Sequence, residues 1–155
     1  MKPLHRSKTP DGNEASEVSS SEVEAIRTAI EVVLRNYETA LNGSDVEGVV
    51  SSFEEDGVFM PQHGPATIGA VRIRAAYEGI FETITFDTEL AVEEIVPVAS
   101  NWAFVRTSSA GSVNVKAIGQ RVPDANHELF IFHRRADSEW KIARYCFSTT
   151  NPAPR

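Results

Sequence analysis

A single cysteine, Cys146, is all the thiol that the sequence holds. It excludes an internal disulfide, and it suits a cytoplasmic protein. Long apolar runs are missing too: none approaches the roughly 20 residues that a membrane-spanning helix needs, so no membrane partner is expected. Met1 to Ser7 carry charge but lead into no apolar core of about 7 to 15 residues, so no secretory signal is expected. Basic residues are short as well, with 15 Lys and Arg against 22 Asp and Glu and a formal net charge of −7. That balance argues against a nucleic-acid partner, because phosphate neutralisation needs a basic face. No glycine-rich loop follows a strand pattern, and no side-chain spacing fits a metal site. Neither a nucleotide, another cofactor nor a metal ion is implied.

What is present is ordinary for a globular chain of one domain: 155 residues, 41% hydrophobic and 24% charged. That is enough to bury a core without cross-links. Residues 1–20 hold almost no large apolar side chains and are expected to form a flexible tail, leaving 21–152 as the domain. Ser21 and Glu24 make a capping-box pattern, after which Val23, Ile26, Ile30, Val33, Leu34, Tyr37 and Leu41 recur at helical spacing up to Asn42-Gly43. Ser44 and Glu47 open a second, short helix with Val46, Val49, Val50 and Phe53 on one stripe. Gly57 to Met60 reads as a short strand stopped by Pro61, and Gln62 to Pro65 as loop. A third helix follows over Ala70 to Phe81.

Strands fill the rest. Ile84 to Val92 alternates clearly and runs on toward Pro97, and Trp102 to Ser109 is the next strand. Ala110 to Ala125 is either an extension with a long turn or a flap. Asn126 to Thr149 is the best-patterned stretch, two strands about a polar turn at Ala136 to Glu139. Glu128, Phe130 and Phe132 share one face, and Leu129, Ile131 and His133 the other. In the second strand Trp140, Ile142, Arg144 and Cys146 alternate with Lys141, Ala143, Tyr145 and Phe147. Neither face is purely polar, so both are expected to be covered, one by helices and the other by either a partner subunit or more of the chain. The fold expected is α+β: a curved antiparallel sheet forming a cone, with three N-terminal helices packed on its concave face.

These residues carry a resemblance. Asn42-Gly-Ser-Asp-Val-Glu47, Phe53-Glu-Glu-Asp-Gly-Val-Phe-Met-Pro61 and Ile68-Gly69 look like the N-terminal half of the nuclear transport factor 2-like superfamily, which includes SnoaL-like proteins and ketosteroid isomerase. Glu128 to Phe132 and Trp140 to Tyr145, through Thr149 to Pro152, are similar to its SgcJ/EcaC-type subgroup. The resemblance implies a cystatin-like cone with a hydrophobic pocket and a homodimer joined through the outer sheet face. That face is expected to show Trp140, Ile142, Cys146, Leu129 and Ile131. Ketosteroid isomerase uses an Asp base with a Tyr and a protonated Asp. Carried onto this chain, its Tyr falls on Tyr37, but Pro61 and Phe130 stand where the two carboxylates would be.

The same frame implies a pocket lined by Tyr37, Phe59, Phe104, Arg106, Glu128, Phe130, Phe132, Tyr145 and Phe147, with His63 near the mouth. Such a site suits a small, largely apolar, oxygen-bearing ligand. Glu128 and Tyr37 are the candidate catalytic pair for an isomerase, cyclase or dehydratase, with Glu128 as acid or base and Tyr37 as hydrogen-bond donor. The structural alternative pairs Glu128 with Arg106 and makes the chain an association module with an incidental cavity. His127 and His133 stand about 20 Å apart along a strand and cannot share an ion.

Overall fold

The computed structural model describes residues 18–136 and 139–152. Most of the expected tail, residues 1–17, and two residues of the expected turn, Asp137 and Ser138, lie outside the described residues. The apolar spacing after Val23 produces the longest helix, α1 (Ser20–Asn42), which turns Ile26, Ile30, Leu34, Tyr37 and Leu41 to one buried face. Its cap is Ser19, whose side chain accepts from the Glu22 amide, two residues before the expected Ser21. Helix α2 (Val46–Ser52) is capped by Asp45, which accepts from the Gly48 amide. Ser44 cannot serve there, because it has a positive φ of 51° while an N-cap needs extended backbone.

The remaining elements are β1 (Phe53–Met60), β2 (Thr67–Ile68), α3 (Ala70–Thr83), β3 (Ile84–Ala99), β4 (Trp102–Val115), β5 (Gln120–Arg134) and β6 (Trp140–Thr149). The stretch from Ala110 to Ala125 is a strand extension: β4 and β5 stay paired to the end, Val115 opposite Gln120. One six-stranded curved sheet results, in the order β2-β1-β6-β5-β4-β3. It is mixed, not wholly antiparallel as expected, because β1 runs parallel to β6. The two are joined by no hairpin, so nothing local fixes their sense. Among the described residues no helix is long and apolar enough to cross a membrane.

Two registers decide which side chains face the helices. On β4, Thr107 stands opposite Glu128 and Val105 opposite Phe130, and opposed residues share a face. The inward row is therefore Ala103, Val105, Thr107 and Ser109, which are buried; Phe104 and Arg106, expected inward, point outward. On β6, Ile131 faces Arg144 while Phe132 faces Ile142, so Ala143 is an extra, unpaired residue. This bulge reverses the alternation. Trp140 and Ile142, expected on the outer face, are buried in the core with Phe132.

Helix α1 also closes the free edge of β3. Asn42 exchanges two hydrogen bonds with the Thr88 backbone, at 2.8 and 3.0 Å. Glu38 accepts from the Leu90 amide at 2.6 Å, and Arg35 donates to the Leu90 carbonyl at 2.8 Å. These side chains stand in for a missing neighbouring strand, where an open edge would invite pairing between molecules. Opposite Thr88 sits Gly111, where an added Cβ would collide with the Asp87 carbonyl oxygen. By contrast, a Cβ added at the exposed helical Gly79 meets nothing within 4 Å. We expect Gly111→Ala to destabilise the fold by roughly 2–4 kcal/mol in urea unfolding. Gly79→Ala should stabilise it by about 0.5–1 kcal/mol.

Candidate functional site

The inward rows of β3, β4, β5 and β6 meet α1 and α3 around a cavity of about 60 Å³. This is room for a few water molecules, well short of the ~300 Å³ or more of drug-sized sites. Its apolar wall includes Leu41, Phe59, Ile80, Phe86, Leu90 and Phe147; its polar groups are Tyr37, Tyr77, Tyr145, Thr88, Ser109, Asp124, Asn126 and Glu128.

Tyrosine hydroxyls form one side of it. Tyr37 on α1 and Tyr77 on α3 are hydrogen-bonded at 2.7 Å, and Tyr145 on β6 bonds to Tyr37 as well. Burial pushes the Tyr37 hydroxyl up to about 12, although the bonds from Tyr77 and Tyr145 hold it back. Burial raises Tyr77 and Tyr145 well above the ordinary tyrosine value too. Tyr37 is bonded to both of the others, so it sits at the centre of the hydroxyl cluster. Rings lock the trio in place: Tyr145 stacks on Phe130 at 4.3 Å and on Phe59 at 5.6 Å between centroids.

Glu128 is the other pole. It is only 5% exposed and accepts a hydrogen bond from the Thr107 hydroxyl at 2.8 Å. Burial raises its pKa, opposed by hydrogen bonds from Ser109 and Thr107 and by His127. The expected pairing with Arg106 does not form: Arg106 lies on the outer face, 3.1 Å from Glu94. Asp124, two inward positions along β5, is raised by burial too, and Asn126 donates to it at 3.1 Å.

Of the residues expected in the pocket, Tyr37, Phe59, Glu128, Tyr145 and Phe147 line the cavity. Phe130 and Phe132 are wholly buried in the core instead. Phe104 joins Arg106 on the outer face, since both have the parity of Leu129 and Ile131. His63 is exposed with a positive φ of 60°; its loop turns back so that Ile68 pairs with Val58. Tyr77, Ser109, Asp124 and Asn126 were not foreseen. Stepping by two back from Glu128 would have found Asn126 and Asp124, and a tyrosine inside the apolar stripe of α3 signals a hydroxyl that needs a partner. His127 bonds to Ser148 at 2.6 Å and His133 to Glu54 at 2.5 Å.

The raised pKa of Glu128 has a consequence for stability. Unfolding returns the carboxyl to about its ordinary 4.5, so the folded state favours the proton. The contribution is therefore full below that value and lost as pH rises through the folded pKa. Glu128→Gln, always uncharged, should melt higher than the parent at neutral pH. That advantage should vanish in scans below about pH 4.

Neither a protein-family model nor a curated protein matches the chain. Solved structures do. A ketosteroid isomerase-like protein from Erwinia carotovora atroseptica is 36% identical, with a TM-score of 0.77 over 81% of this chain and 96% of that one. A conserved protein from Planctomyces limnophilus is 26% identical, with a TM-score of 0.72 over 81% and 98%. Hexachlorocyclohexane dehydrochlorinase LinA-type3 from Novosphingobium barchaimii shares the fold at 12% identity, with a TM-score of 0.76 over 86% and 92%. The chain belongs to the ketosteroid isomerase-like family of the nuclear transport factor 2-like superfamily, within the cystatin-like α+β cone.

Proposed function

We propose that this protein binds a compact, largely apolar organic molecule with an oxygen function, held in the cavity between Tyr37 and Glu128. The observation that carries this reading is Glu128 itself: a buried carboxyl on the cavity wall whose hydrogen-bond partners are the hydroxyls of Thr107 and Ser109. Burial without a Lys or Arg partner disfavours the charged form, which suits a carboxyl that meets a ligand or a proton. Tyr37 would donate to the ligand oxygen while the aromatic wall encloses its carbon frame. The SgcJ/EcaC-type subgroup and a cytoplasmic address stay part of this proposal.

The same observation favours a second reading, an isomerase, cyclase or dehydratase working in this pocket. Glu128 would take a proton from the carbon beside a carbonyl. Tyr37 would donate a hydrogen bond to the resulting enolate oxygen, and Glu128 would return the proton at another carbon. A carboxyl with its pKa raised by burial is a stronger base than an ordinary one. The association module requires Glu128 paired with Arg106, which does not form, and a cavity filled by Phe130, Phe132 and Phe147, of which Phe130 and Phe132 are buried in the core.

Incubating the protein with a panel of small cyclic ketones in heavy water separates the readings. If Glu128 moves protons, deuterium enters beside the carbonyl, and Glu128→Gln slows this by roughly 10²-fold or more. If the protein only binds, no exchange above background occurs with any ketone that it retains. In both readings Tyr37→Phe weakens ketone binding by about tenfold.

We also propose a homodimer through the outer sheet face. Trp102 and Leu129 are 39% and 42% exposed there, beside Phe104, Ile131 and Cys146 of the same parity. An aspartate at both Phe104 and Leu129 should convert a dimer to a monomer in sedimentation velocity without loss of helicity. An unchanged sedimentation coefficient would remove this face from the assembly.

A further inference from the structure

The cavity has a chemical bias that proton transfer does not use. Its lining holds two carboxyl groups, Glu128 and Asp124, and among its described residues no lysine, arginine or histidine. Because inward positions on β5 recur every second residue, Asp124, Asn126 and Glu128 make one row, stepping about 7 Å each time. The row runs from deep to shallow: Glu128 is buried, whereas Asn126 and Asp124 are half-buried.

The shallow end is rich in acceptors. Asn126 Nδ2 donates to Asp124 Oδ2 at 3.1 Å and to Ser109 Oγ at 3.5 Å. That uses the amide's donor and leaves Asp124 Oδ1 and Asn126 Oδ1 with no side-chain or backbone donor among the described residues. An anionic ligand would bring its charge toward two carboxyls in a poorly solvated space, where like charges repel most strongly.

We propose that Asp124 and Asn126 form an outer subsite that receives a hydrogen-bond donor of the ligand, a hydroxyl or ammonium group, and that the pocket rejects carboxylates. This rests on the reading of the cavity as the binding site. The ligand class is then a compact molecule with an oxygen at one end for Tyr37 and a donor group at the other.

Three probes of one shape test it: cyclopentanol, cyclopentylamine and cyclopentanecarboxylate, titrated at neutral pH into the ¹⁵N-labelled protein. The alcohol and the amine should shift β5 amides near Asp124 and bind roughly tenfold more tightly than the carboxylate. Asp124→Asn should weaken the amine about tenfold and bring it within a few-fold of the carboxylate. Asn126→Asp, a second variant, should strengthen the amine. Equal binding of all three probes at the cavity would overturn the subsite while leaving the pocket reading intact. An affinity ratio unmoved by either variant would do the same. If no probe shifts the cavity amides, the pocket reading falls and the subsite falls with it.

Discussion

The two side chains that β6 turns into this site, Tyr145 and Phe147, depend on one unpaired residue, Ala143. By inserting an extra position into β6, it lets Trp140 and Ile142 fill the core beside Phe132 while Tyr145 and Phe147, further along the same strand, still face the cavity. Without it, strict alternation would turn one of these two groups out to solvent. A strand with an even rhythm could not serve both the closed end of the cone and its mouth. The bulge therefore links the apolar plug of the domain to its chemistry.

Above that plug the core becomes polar in an ordered way. Three tyrosines and the Glu128 carboxyl line the cavity, Glu128 bonded in turn to the Thr107 and Ser109 hydroxyls, and no buried side-chain polar atom of the described residues lacks a partner. Such a network costs stability in desolvation and returns it only when every member is satisfied. Here the satisfaction is asymmetric. Tyr37 is hydrogen-bonded to two tyrosines, while Glu128 receives from hydroxyls and has no Lys or Arg partner among the described residues. A phenol hydroxyl and a carboxyl thus line one small space. Preorganisation of this kind is what binding an oxygen-bearing molecule, or moving a proton beside one, requires. The α1 side chains on the edge of β3 hold Thr88, part of the same wall, from behind.

Most of the fold is legible in the sequence because its cues are local. Helical spacing sets α1 and α3, and the alternation after Ile84 sets β3. What escapes is non-local. The parallel pairing of β1 with β6 joins segments at opposite ends of the domain, and no residue nearby encodes it. The inward row of β4 follows from its register with β5, so Arg106 and Phe104 could be assigned inward only by analogy. The bulge at Ala143 has no glycine or proline to announce it. At the site, Glu128 and Tyr37 stand out as polar residues inside apolar rows. Asp124 and Asn126 do not, because the Gly, Pro and Asp content around them reads as a turn although the backbone remains a strand. His63 failed for a plainer reason: a loop after a proline can turn either way, and this one turns from the cavity to build β2.

Glu128 is a buried carboxyl with no Lys or Arg partner among the described residues, and burial makes it accept a proton more easily than an ordinary glutamate. Carbon-detected NMR titration of side-chain carboxyls in ¹³C-glutamate-labelled protein, with Glu128→Gln to assign the resonance, tests it most directly. The Glu128 midpoint should lie clearly above the ordinary 4.5 and move when a cavity ligand is added. A midpoint at or below that value, indifferent to ligand, would mean that a cation or strong donors stabilise the carboxylate and that Glu128 is structural.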